Sequence, residues 1–97
     1  MAQFDVYATS GKTLLLDCQT DFLLIDTRLV VPLRPRSETL NLVRRLNPIL
    51  VVEGDEFAMM TQTMAAVRAV TLGTRIASLA NEQDNIKAAI DMLIVGY

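Results

Sequence analysis

Histidine is absent from this 97-residue chain, and cysteine occurs once, as Cys18. The common zinc sites need several imidazole or thiolate ligands, and Ser-His-Asp and Cys-His mechanisms need an imidazole base, so both classes are excluded. A lone cysteine makes no internal disulfide. In its apolar run Cys18 reads as a small buried hydrophobe, which fits a reducing cytoplasm. Glycine is scarce too, with four residues and none in a phosphate-cradling spacing, so nucleotide hydrolysis is not expected. No apolar stretch is long enough to cross a bilayer, and the amino terminus, with Asp5, lacks the basic-then-apolar pattern of an export signal. The expectation is a cytoplasmic protein with no metal, no other cofactor and no membrane partner.

Positive charge is in deficit. Eleven acidic residues against nine basic give a net charge of -2, too little to supply the phosphate neutralisation behind nucleic-acid affinity. Direct DNA or RNA binding is therefore disfavoured. Five of the nine basic residues nevertheless fall within residues 28–45 (Arg28, Arg34, Arg36, Arg44 and Arg45), where Glu38 is the only acid. That segment either attracts an acidic partner or is a solvated loop with its flank.

What is abundant is apolar residue, at 52% of the chain. A chain this short buries only about two thirds of its unfolded surface, so one domain over residues 1–97 is expected, with the apolar surplus covering a dimer face. Gln3-Phe4-Asp5-Val6-Tyr7 alternates polar and apolar as a strand does, and Thr9-Ser10-Gly11-Lys12 reads as a turn. A second strand over residues 14–20 puts Leu14, Leu16 and Cys18 on one face and Asp17 and Gln19 on the other, completing a hairpin. A third strand over residues 28–33 ends where Pro32 and Pro35 withdraw backbone donors. Leu40, Val43 and Leu46 have helical spacing, which predicts a short helix within residues 36–46 capped by Ser37. Ile49-Leu50-Val51-Val52 and Glu56-Phe57-Ala58-Met59-Met60 are two strands joined by a tight turn at Glu53-Gly54-Asp55. A further strand over residues 67–72 closes at Gly73.

The last element is the clearest helix. Ile86, Ala89, Ile90, Leu93 and Ile94 recur at three- and four-residue intervals, Asn81 is placed to cap it, and Gly96 ends it. Short strands followed by one helix, without alternation, predict a mainly β (α+β) fold: a small antiparallel barrel or sandwich with an appended helix. The acid pairs Asp17 and Asp21, Asp55 and Glu56, and Asp84 and Asp91 read as solvated surface, with no catalytic residue among them. Met59, Met60 and Met64 form an adaptable cluster, more often core filling than a docking site.

The residues also resemble a family along nearly the whole chain. Gln3-Phe4-Asp5-Val6-Tyr7, the stretch from 17 to 21, Ile25-Asp26-Thr27, Val30-Val31-Pro32-Leu33, Asn47-Pro48, Gly54-Asp55-Glu56, Met59-Met60-Thr61 and Met64-Ala65 occur in the order and spacing of the CcdB toxins of bacterial toxin-antitoxin operons. Leu79, Asn85-Ile86-Lys87, Ala89-Ile90 and a penultimate Gly96 complete the match. The resemblance implies a twisted antiparallel barrel of the CcdB or plasmid-maintenance-toxin type, with a small extra sheet and a carboxy-terminal helix, assembled as a homodimer. It implies a toxin that binds the A subunit of DNA gyrase, traps the cleaved-DNA complex and is restrained by a CcdA-like antitoxin.

On the same grounds the gyrase-binding residues are Leu24, Ile25, Asp91, Ile94, Val95, Gly96 and Tyr97. For the antitoxin the expected contacts are Arg34, Arg36, Arg44 and Arg45. This chain departs from the best-known members by ending in Val95-Gly96-Tyr97 where they end in Trp-Gly-Ile, and by carrying Asp91 where Asn is usual. It is longer around Phe22 to Leu24 and shorter around Thr27 and Arg28. These departures bear on the target rather than the fold. Two alternatives stand beside this reading. One is a ribonuclease toxin on the related barrel, disfavoured by the lack of histidine; the other is a homologue that keeps the dimer but has lost or changed its target.

Overall fold

The alternating amino terminus does form a hairpin. In the computed structural model, which describes residues 2–11 and 13–97, β1 (Asp5–Ala8) pairs antiparallel with β2 (Leu14–Asp17), Val6 facing Leu16. Lys12, part of the predicted turn, lies outside the described residues. The second strand is shorter than expected and stops at Asp17, where the chain leaves the ladder for a loop over residues 18–26.

β3 (Thr27–Pro35) is longer than expected and organises the sheet. One edge carries β2 from Leu14 opposite Leu33 to Asp17 opposite Val30. The other edge is divided: β5 (Asp55–Met59) pairs with Leu33, Arg34 and Pro35, and β6 (Ala65–Arg68) pairs with residues 27–30. Pro32 falls between these two partners and does not end the strand. A strand residue aims its N–H and C=O to the same side, and the Pro32 carbonyl accepts from Met60 N–H at 3.0 Å. The donor it lacks therefore faces the gap where the 3-10 turn Thr61–Thr63 crosses, and no ladder bond is lost.

β4 (Ile49–Val52) pairs with β5 through the predicted tight turn. Glu53 at φ 51° and Gly54 at φ 85° are both left-handed, the geometry of a two-residue hairpin turn that matches strand twist. The strand expected over residues 67–72 is instead β6 followed by a 3-10 turn at Ala69–Thr71. Beyond Gly73 comes β7 (Thr74–Ser78), which the sequence pattern did not reveal; it pairs with the free edge of β1 across a bulge between Val6 and Tyr7.

No helix forms over residues 39–48. Only Arg36–Glu38 makes a 3-10 turn, Ser37 lies within it and caps nothing, and Leu40 is 87% exposed. Asn47 holds this segment in place. Its buried amide donates to the Met59 carbonyl (2.9 Å) and Gln62 Oε1 (2.8 Å), and its Oδ1 accepts from Val43 N–H (3.0 Å). The final helix, α1, runs Gln83–Val95, entered through a 3-10 turn at Ala80–Glu82. Asn81 sits inside that turn and is not the cap; Glu82 occupies the cap position without a side-chain capping bond.

The result is a seven-stranded antiparallel sheet in the order β4-β5-β3-β2-β1-β7, with β6 branching from β3, curled into a half-barrel and closed by α1. The small extra sheet is continuous with the main one, through β3. Curling is what lets Leu50 and Val52 of β4, Val6 of β1 and Ile86 and Ala89 of α1 share one core with Leu16, Val31, Leu33 and Met59. Met59 is fully buried and Met64 packs on the core, as methionines used for filling do. No helix among the described residues is long and apolar enough to cross a membrane.

Candidate partner-binding surface

The helix end is built by a change of environment along one face. Ile86 and Ala89 are buried, while Leu93, two turns on from Ile86 and on the same face, is already 40% exposed. The last turn therefore projects past the sheet that covers the first two. Ile94 is 71% exposed, Val95 is exposed, and Tyr97 is 74% exposed. Gly96, at φ 89°, closes the helix by donating its N–H to the Asp91 and Met92 carbonyls at 3.2 and 3.1 Å. Asp91 is exposed one turn before this tail.

A second apolar surface lies in the loop between β2 and β3. Leu24 is 97% and Phe22 95% exposed, and Leu23 and Ile25 are half exposed, four large apolar residues in a row facing solvent. Leu24 and Ile25 were expected here; Phe22 and Leu23 were not, since the resemblance carries over only the positions that match and this chain is longer around Phe22 to Leu24. No hydrogen bond or ion pair among the described residues joins this loop to residues 91–97.

Beneath the loop lies a buried ionic cluster. Asp17 is fully buried, not solvated, and accepts from Arg28 Nε at 2.8 Å. Arg28 is itself 6% exposed, and its Nη2 reaches Asp21 Oδ1 (3.3 Å) and the Gln19 carbonyl (3.2 Å). Arg28 therefore leaves the set of arginines free for a partner. Burial by itself would lower the Arg28 pKa, but its hydrogen bonds and charge interactions with Asp17 and then Asp21 outweigh that and raise it, so the guanidinium stays charged. Burial, helped by the Asp17 charge, pushes the neighbouring Cys18 thiol up to about 12, so it is an inert core group. Burial and the Asp5 and Asp17 carboxylates likewise raise Tyr7. Asp5, also buried, pairs with Arg75 Nε at 3.0 Å.

The basic segment divides. Arg34, on β3, and Arg36 are exposed, and Arg36 pairs with Glu56 at 3.2 Å between two solvated side chains, a contact worth at most about 1 kcal/mol. Arg34 lines a cleft of about 560 Å³ with Leu14, Pro32, Phe57 and Met60, and Arg36 lines a second of about 570 Å³ with Asp55 and Glu56. The clefts share Pro35 and Phe57. Arg44 and Arg45 are exposed on the turn before β4 and line neither.

These surfaces offer apolar area, backbone edges and cations. Against known families, a model described as CcdB protein matches residues 3–96.

Proposed function

The chain belongs to the CcdB family and so is the toxin of a toxin-antitoxin pair; from that premise we propose that it acts in the cytoplasm as a homodimer that binds the A subunit of DNA gyrase, holds the enzyme on cut DNA and prevents resealing, without catalysis of its own. The observation that carries this reading is the carboxy-terminal tail. Leu93, Ile94 and Val95 are exposed at the end of a helix whose first turns are anchored in the core, and Tyr97 is exposed just beyond it, so an apolar end is held out instead of being buried. Two-fold symmetry doubles such an end and suits a target that is itself a symmetric dimer. Leu24 and Ile25 add apolar area, and Asp91 supplies a charge beside the tail.

A CcdA-like antitoxin restrains the toxin by folding an extended segment onto the surface around Arg34 and Arg36, with Arg44 and Arg45 attracting acidic residues at its margin. The two clefts that meet at Pro35 and Phe57 favour this placement.

Deletion of residues 96 and 97 tests the tail. Both residues lie outside the core, so the truncated protein should melt within a few degrees of the full chain while losing toxicity on induction and the ability to accumulate linear plasmid DNA with the host's gyrase. Continued killing by the truncated chain would overturn the site, and RNA cleavage with gyrase untouched would overturn the target.

A further inference from the structure

The four exposed apolar residues of the β2–β3 loop stand on a base that is unusually well tied. On its first side Cys18 N–H donates to the Leu29 carbonyl (2.9 Å), Gln19 N–H to Asp17 Oδ1 (3.1 Å) and Gln19 Nε2 lies buried without a partner among the described residues. On its second side Leu29 N–H donates to Gln19 Oε1 (3.0 Å), and the Asp26 carbonyl accepts from Ala69 N–H (2.7 Å). Arg28 bridges the two sides through Asp17, Gln19 and Asp21. Asp21 in turn accepts from Gln3 N–H at 2.9 Å, which fastens the loop to the amino-terminal segment.

A buried ion pair is a poor device for stability, since well-packed apolar residues in its place usually serve as well or better. Its physical merit is directional: each partner is satisfied in one geometry only. Among the described residues, the apolar stretch 22–25 makes one hydrogen bond, Phe22 N–H to Thr20 Oγ1 at 3.3 Å, so its order must come from below. An apolar residue held in a fixed place binds a partner without the entropic cost of being ordered on contact, and a phenyl ring offers one of the largest areas to cover.

We propose that Asp17, Arg28 and Asp21 are positioning residues that hold residues 22–25 as a preformed apolar prong, and that Phe22, at its base, is a specificity-determining contact for the gyrase A subunit. The identity of the partner rests on the function proposed above; the mount does not.

Removing Arg28 would strand Asp17 in the core and threaten the fold, so the test uses the half-exposed Asp21. Hydrogen exchange of the free full-length protein and surface plasmon resonance against purified gyrase A subunit are measured for the wild type, Asp21→Ala and Phe22→Ala. For Asp21→Ala the expected result is about tenfold faster exchange at the bonded amides of the loop's base, those of Gln19, Leu29 and Ala69, and about tenfold weaker binding, with the melting temperature little changed. Phe22→Ala should exchange as the wild type does and still bind about tenfold more weakly. Wild-type exchange in Asp21→Ala overturns the mount. Full affinity in Phe22→Ala, or in an Asp21→Ala protein whose loop is loosened, overturns the contact. If the wild type has no affinity for the A subunit, the gyrase reading fails while exchange alone still decides the mount.

Discussion

Asp17 and Arg28 occupy positions where burial and charge are opposed. Each is desolvated, and each is tolerated because the other lies 2.8 Å away. Arg28→Met should therefore cost about 3–5 kcal/mol in urea unfolding, because it leaves a buried carboxylate with no counter-charge. The double substitution Asp17→Leu with Arg28→Met should cost less than either change singly; equal or greater loss would show that the pair contributes more than mutual compensation. Cys18 carries a second prediction at this scale. Its thiol is raised from an ordinary 9.0 to about 12 in the fold, so the native state keeps a proton that the unfolded state surrenders. The stability this gives is complete below about pH 9 and is lost as pH climbs toward 12, with Tyr7 acting in the same direction. Urea midpoints should fall between pH 8 and 10.5, and Cys18→Val should fall less steeply. Phe4, at φ 72°, is another residue held against its preference, fixed by its N–H to the Asp17 carbonyl at 2.6 Å and its carbonyl to Leu79 N–H at 2.8 Å.

Among the elements, β7 depends most on a detail invisible to periodicity. A Cβ at Gly73 would stand 2.0 Å from the Ala8 carbonyl oxygen, a backbone atom that cannot step aside without parting β1 from β7. Gly73→Ala should cost about 1–3 kcal/mol, and since each kcal/mol moves the midpoint of a domain this size by about 4–8 °C, a calorimetric scan resolves it readily. An unchanged midpoint would mean that the two strands can separate at that end without loss. The same pairing explains why Thr74–Ser78 is a strand at all: its own residues alternate weakly, and the exposed edge of β1 recruits them. In residues 39–48 the reverse holds. A helical spacing of Leu40, Val43 and Leu46 is present but faces no core, and the hydrogen bonds of Asn47 set the path instead.

For the whole molecule, the exposed apolar residues divide between the loop, the tail and isolated positions such as Val70. A monomer that displays both loop and tail in water is open to association, and the proposed homodimer should be visible by light scattering at micromolar concentration. A strict monomer at that concentration would remove the symmetric, doubled tail from the proposed mechanism. The truncated chain lacking residues 96 and 97 separates two roles in the same measurement, since a dimer that persists without toxicity assigns the tail to the target and not to self-association.

The paired strands of both hairpins and the terminal helix were legible in the order of residues, because hydrophobic period, turn residues and capping glycines act over a few positions at a time, and the family was legible in the shared order of short motifs. Leu24, Ile25 and the tail could likewise be named from the resemblance, but their exposure could not. Whether an apolar residue is covered depends on which element arrives above it, and only the packing of α1 over a curled sheet leaves Leu93 at an edge while Ile86 lies within. The burial of Asp17, read from its alternation as solvated, was decided the same way: Arg28, eleven residues on, crosses beside it only once β2 and β3 are paired. Tertiary structure chose the partners of each charge because the energy of an ion pair is set by distance and dielectric, neither of which exists until the chain has folded.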